Sequence, residues 1–210
     1  MTRILLAGAT GLVGQAVMQR ALASAQVGQL VAPTRRPLPA QARLLNPIVD
    51  FDALPDDAEW WRVDTVICAL GTTIRDAGSQ EAFRRVDYTY PLDIARRTHA
   101  HGARTYALVS AMGADAASRI FYSRTKGELE RDLLALGFPS LTFVRPGLLG
   151  GERPRRRAGE WLASLALRAL EPVVPRRYRI VPAERVADAL LRAALDAPPG
   201  HHVIESEAIA

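Results

Sequence analysis

Tyr122 and Lys126 stand four residues apart in Tyr122-Ser123-Arg124-Thr125-Lys126, a spacing that sets two side chains on one face of a helix. A tyrosine with the model-peptide pKa of about 10 is a poor proton carrier near neutrality. An ammonium beside it favours the phenolate and brings the group toward a working range. Of the 27 lysines and arginines in this 210-residue chain, Lys126 is the only lysine. That marks a position where a compact, tunable point charge serves and a guanidinium does not. Ser110 lies at the end of an apolar run ahead of Tyr122, where a hydroxyl could bond a carbonyl oxygen and stabilise developing alkoxide charge. The three side chains suit proton and oxygen handling at a carbonyl or alcohol carbon. The plain alternative is a half-buried core aromatic next to a surface charge.

A second group suits phosphate. Gly8-Ala9-Thr10-Gly11-Leu12-Val13-Gly14 follows the apolar run Arg3–Ala7 and opens a helical pattern. Gly8 gives the tight turn its backbone freedom, Gly11 clears room for a pyrophosphate, and Gly14 lets helix and sheet approach. The free N–H groups of Leu12, Val13 and their neighbours, with the helix dipole, complete an anion site. In strand–turn–helix context this is a dinucleotide fingerprint. Discrimination between cofactors is expected at the end of the second strand, where an acidic residue would accept from a ribose 2′-hydroxyl. Instead the chain carries Thr34-Arg35-Arg36, with no carboxylate before Asp50. Two guanidiniums suit a 2′-phosphate, so NADP is expected over NAD.

These residues need a frame, and the apolar pattern supplies one. Strands are expected at Arg3–Ala7, Val27–Ala32, Pro47–Phe51, Val63–Leu70, Thr105–Ser110, Leu141–Arg145 and His202–Glu205. Helices are expected at Leu12–Ser24, Gln80–His99, Tyr122–Leu136, Trp161–Leu170 and Ala183–Leu195. Strand–helix alternation means parallel crossovers, hence a single-domain α/β fold: a doubly wound parallel sheet, the Rossmann fold, with helices on both faces. Ligands collect beyond the carboxyl ends of such strands, and the candidate residues fall there. Residues 147–182 read as a small substrate-side region, and Gly150–Gly159 as a mobile loop.

Composition sets limits. With 49% hydrophobic and 23% charged residues, the chain is an ordinary globular one. The single cysteine, Cys68, lies in an apolar run and reads as a buried thiol in a reducing compartment. No secretory signal and no long apolar span is visible, so a cytoplasmic protein without membrane contact is expected. The net charge of +5 is scattered, and the cluster Arg153–Arg157 lacks the interleaved aromatics that stack bases; no nucleic-acid partner is expected. His99 with His101, and His201 with His202, lack a visible third ligand, so no metal is expected. A monomer or homodimer remains open.

The glycine turn, Ser110, the Tyr122/Lys126 pair and Arg145-Pro146-Gly147 together resemble the short-chain dehydrogenase/reductase superfamily. Cys68-Ala69-Leu70-Gly71-Thr72-Thr73, Phe83-Arg84-Arg85-Val86-Asp87-Tyr88 and Val144-Arg145-Pro146-Gly147 are similar to its atypical branch of Tat-interacting oxidoreductase-like, NAD(P)-binding proteins. The resemblance implies that Ser110, Tyr122 and Lys126 form the catalytic trio. It implies that Leu70, Gly71 and Thr72 border the cofactor, that Asp50 sits near the adenine, and that Pro146 and Gly147 flank the nicotinamide. Asp87 occupies the region where extended members often carry a relay asparagine. The short carboxyl-terminal portion disfavours a nucleotide-sugar epimerase. The expected function is an NADP(H)-dependent oxidoreductase acting on a small carbonyl or alcohol substrate. The alternative is a cofactor-binding regulator, with little turnover, that controls a protein partner.

Overall fold

Alternation of side chains along β1 (Thr2–Ala7) explains the layering. Ile4 and Leu6 face one helix layer, Leu5 and Ala7 the other, and all four are fully buried. A strand buried on both faces is the mark of a parallel sheet covered twice. In the computed structural model, which describes residues 1–150 and 180–209, β1 lies between β2 (Val27–Val31) and β4 (Thr65–Cys68). The sheet continues through β3 (Leu44–Leu45) on one side, and through β5 (Thr105–Val109), β6 (Ser140–Arg145) and β9 (Gly200–Glu205) on the other. The order is β3-β2-β1-β4-β5-β6-β9, and every pairing is parallel. Chain direction across the sheet therefore reverses between β1 and β4, which opens the crevice where ligands bind in this architecture.

One face is covered by α1 (Leu12–Ala23) and α6 (Ala183–Asp196), through Val13, Val17, Val186 and Leu190. The other is covered by α4 (Tyr90–Ala100) and α5 (Phe121–Leu134), through Leu92, Ile94, Leu129 and Leu133. Trp61, on a short turn at Glu59–Trp61, is fully buried in this second layer, its indole N–H bonded to the Pro55 carbonyl at 2.8 Å. Cys68 is buried within β4, and burial pushes its thiol pKa up. A short α7 (Ser206–Ile209) follows β9. A separate two-stranded sheet of β7 (Leu148–Gly150) and β8 (Ile180–Pro182) flanks the carboxyl end of β6. No helix among the described residues is long and apolar enough to cross a membrane.

Two expectations need correction. The third strand is Leu44–Leu45, not Pro47–Phe51; beyond it only the bridge Thr34↔Ile48 continues the pairing. Pro47 has no N–H to give, and the Asn46 amide reaches the Ala32 carbonyl at 2.6 Å and Thr34 Oγ1 at 2.8 Å, taking the place of ladder bonds. The helix expected over Gln80–His99 is three pieces: α3 (Gln80–Arg84), a wide π turn at Arg85–Thr89, and α4. Pro91 cannot donate to the Asp87 carbonyl, so the ladder slips and the Tyr90 N–H reaches back to Arg85. Also unforeseen was α2 (Ile74–Ala77), capped by Thr73 and closed by Gly78 at φ +81°. The expected helix Trp161–Leu170 and the cluster Arg153–Arg157 lie outside the described residues, as does most of the substrate-side region at 147–182.

Candidate active site

The glycine turn closes where β1 and β4 leave the sheet. Gly8 takes φ +88°, and a Cβ there would lie 2.6 Å from the Ala69 backbone. Only glycine fits both demands. At Gly14 a Cβ would meet the Gly8 carbonyl oxygen at 2.0 Å. Gly14 thus lets the helix close on its own turn, a tighter demand than the helix–sheet packing expected. Gly11 is different: its missing Cβ would meet only that same oxygen, at 3.4 Å, so the space it leaves faces outward. Gly11 is the N-cap of α1 and carries no side-chain cap. The N–H groups at the start of the helix are therefore free for an anion. Thr10 is exposed at the tip of the turn.

A cleft of about 760 Å³ opens above this turn. Gly11, Leu12 and Val13 form one wall, and Leu70, Gly71 and Thr72, just past β4, form the next. Ser110, Tyr122, Lys126 and Gly147 line the far side. Ten of the residues singled out from sequence thus meet in one cleft. Gly8 and Gly14 support it from beneath, and the Pro146 carbonyl accepts from Met112 N at 3.0 Å at its rim. Arg35, Arg36 and Asp50 stand apart. All three are exposed, beyond the carboxyl ends of β2 and β3, and none lines the cleft. Neither arginine has an ion-pair partner among the described residues. The Asp50 carboxylate is engaged locally, accepting from Asp52 N at 3.0 Å.

Helix α5 carries Tyr122, Lys126 and Glu130 on one stripe. The Tyr122 ring packs 5.6 Å from the buried Phe83 ring, and 37% of the residue remains exposed. Lys126 is the reverse: 3% exposed, its Nζ 2.8 Å from Asp87 Oδ1. Burial works against the ammonium, but the Asp87 carboxylate and the Tyr122 phenol outweigh it and hold the Lys126 pKa above the ordinary lysine value. Asp87 sits in the π turn, and its second oxygen accepts from Thr72 N at 2.8 Å. One carboxylate thus ties the β4 loop to the lysine. Sequence reasoning noted Asp87 without giving it this task; the signal was an acidic residue four positions before Pro91, inside an otherwise apolar helix face.

Ser110 lines the cleft from the end of β5 and has a buried partner. Its hydroxyl does not point a proton at the cleft; it donates to Glu130 Oε1 at 2.5 Å. Glu130 also receives Arg145 Nε at 2.9 Å and Nη2 at 2.5 Å, and Arg145 Nη1 reaches Glu205 Oε1 at 2.9 Å. Donation to the Glu130 carboxylate raises the Arg145 pKa further. Glu130 was missed, though its place four residues after Lys126 was visible. Gly127 was missed as well: a Cβ there would lie 2.1 Å from Ala116 N, so this glycine seats α5 against the loop after β5.

The solved structure of MoeE5 in complex with UDP-glucose and NAD superposes with a TM-score of 0.72, covering 96% of this chain and 74% of that one at 19% identity. That likeness shows that the two chains share the Rossmann-type fold. Among curated relatives, protein FMP52, mitochondrial, of Eremothecium gossypii is 36% identical over 157 residues, 74% of this chain and 70% of its own length. Protein HTATIP2 of Rattus norvegicus is 34% identical over 165 residues, 76% of this chain and 68% of its own. Relatives called FMP52 are named mitochondrial, and this overturns the cytoplasmic location expected from sequence. A model of the HIM1 family matches residues 51–168, more than half of the chain. With relatives above 30% identity over two thirds of their length, the chain belongs to the HIM1 family.

Proposed function

We propose that the chain is an NADP(H)-dependent oxidoreductase that interconverts a small carbonyl and its alcohol. The observation that carries the reading is the pairing, in one cleft, of a part-exposed Tyr122 with a buried Lys126 held by Asp87. The dinucleotide, when bound, supplies the hydride acceptor or donor. The cradle fits such a group, since Gly8 and Gly14 close a turn that no larger residue permits and leave the start of α1 uncapped. Gly8, Thr10, Gly11, Leu12, Val13 and Gly14 hold the pyrophosphate. Arg35 and Arg36, exposed and free of ion pairs among the described residues, take the 2′-phosphate, and Asp50 lies toward the adenine. Leu70, Gly71, Thr72, Pro146 and Gly147 border the nucleoside portions.

Tyr122 moves the substrate proton. The Lys126 ammonium shares the helix face of Tyr122 and can bond ribose hydroxyls, and Asp87 keeps that ammonium charged and in place. Ser110 touches the substrate from the β5 side. Fluorescence titration with NADPH and with NADH tests the cofactor half of the reading. Micromolar NADPH binding that weakens in Arg35→Ala/Arg36→Ala supports it; equal affinities for both cofactors would remove the 2′-phosphate assignment.

One observation favours a second reading, in which the chain binds cofactor and controls a protein partner with little turnover. The Ser110 proton is already committed to Glu130, which withholds one donor from a carbonyl substrate. A pull-down whose partners change with NADPH would support it, and partners indifferent to NADPH would remove it.

A further inference from the structure

A serine hydroxyl has one proton to give and two lone pairs with which to receive. Ser110 gives its proton to Glu130 in a short bond of the charge-assisted kind. Glu130 is not free to turn, because two Arg145 nitrogens hold its two oxygens and Glu205 holds Arg145 in turn. Ser110 and Glu130 are both 4% exposed, so solvent has little access to the bond. Yet Ser110 lines the cleft. What it offers there is lone pairs.

We propose that Glu130 is a positioning residue that turns Ser110 into a hydrogen-bond acceptor toward the cleft. On that geometry, the substrate carries a second hydroxyl beside its reacting carbon, as in a vicinal diol or an α-hydroxy ketone. The inference rests on the oxidoreductase reading. A reacting alcohol has one hydroxyl proton, and it passes to Tyr122, so an acceptor at Ser110 needs another O–H to meet it. In the oxidising direction the reacting C–H gives its hydride to the oxidised dinucleotide and the O–H gives its proton to the Tyr122 phenolate. The carbon–oxygen bond becomes C=O. The neighbouring hydroxyl keeps its proton and rests on Ser110. A plain ketone brings no such donor.

The position of the Ser110 hydrogen is open to direct observation. Neutron diffraction from crystals of the full chain exchanged into D₂O should show deuterium on the line from Ser110 Oγ to Glu130 Oε1; deuterium directed into the cleft would overturn the proposal. Specificity is read by ligand-observed NMR. 2-Hydroxycyclohexanone should bind the wild type about fivefold more tightly than cyclohexanone, the worth of one added hydrogen bond, and Ser110→Ala should erase the difference. Equal Kd values in the wild type, or a preference that survives in Ser110→Ala, would contradict it. Neither measurement needs turnover. A chain that passes both and never consumes NADPH would sink the oxidoreductase reading and leave the hydroxyl assignment standing.

Discussion

The two ends of the cofactor path are built to different standards. Around β1, β4 and α5 three residues are held twice: Gly8 by its φ and by Ala69, Asp87 by Thr72 and Lys126, Glu130 by Ser110 and Arg145. Beyond β2 and β3, Arg35, Arg36 and Asp50 are exposed; among the described residues the Asp50 carboxylate accepts only from the nearby Asp52 N, and neither arginine has an ion-pair partner. The difference separates two tasks. Chemistry needs side chains fixed to within fractions of an ångström, whereas recognition of a phosphate tolerates long arginines that order on contact. Mutations at these doubly held positions should therefore cost stability as well as function, and those at the second end only affinity.

The largest effect is expected at Asp87→Asn, which keeps the acceptor for Thr72 N but leaves a buried ammonium without its carboxylate. Breaking one side of a buried pair costs about 3–5 kcal/mol, measurable by urea denaturation near neutral pH. The pH dependence should also reverse. In the wild type the Lys126 pKa is raised, so its stabilisation is complete below the free-lysine range of about 10.4 and is lost as pH rises through the folded value. In the variant, burial without a partner depresses the lysine, the unfolded chain binds the extra proton, and stability should climb from neutral pH toward that range. A variant whose stability is flat or falls over this interval would contradict the pairing.

Next comes Gly14→Ala, whose Cβ has the Gly8 carbonyl oxygen 2.0 Å away. Overpacking against backbone should cost about 3 kcal/mol and depress NADPH binding with it. Gly11→Ala is the control that sharpens the comparison: its nearest atom is 3.4 Å away, so the melting temperature should stay within about 2 °C while NADPH affinity falls. The smallest change in the protein itself belongs to Arg35→Ala/Arg36→Ala. Stability should not move, and NADPH should bind about tenfold more weakly, with NADH unchanged. A loss of fold in this double variant would break the distinction between the two ends.

How far the sequence could be read follows the same division. Positions whose demand is local were legible: the glycine turn from its spacing after an apolar run, the Tyr122/Lys126 face from the helical period, and six of the seven strands of the main sheet from runs of apolar residues. What escaped depends on distant partners. Nothing near Glu130 announces that it meets Ser110 across the gap between α5 and β5, or Arg145 from β6. The break in the expected long helix was present in Pro91, but the width of the turn depends on a lost bond to the Asp87 carbonyl. The third strand was displaced because Asn46 replaces backbone bonds with side-chain ones. Location was misread for another reason, since composition and packing carry no record of compartment, and relatives of this chain are named mitochondrial.

Tyr122→Phe tests the central claim most directly, because it removes one oxygen from a part-exposed ring and leaves the Phe83 contact intact. NADPH consumption should be followed with a panel of carbonyl and hydroxy-carbonyl substrates, beside NADPH binding by fluorescence. The variant should bind NADPH within about twofold of wild type and lose at least about a hundredfold in kcat/KM, the usual worth of a proton-transfer group. Undiminished turnover in Tyr122→Phe would contradict the assignment of Tyr122 as the proton carrier, and with it the proposed mechanism.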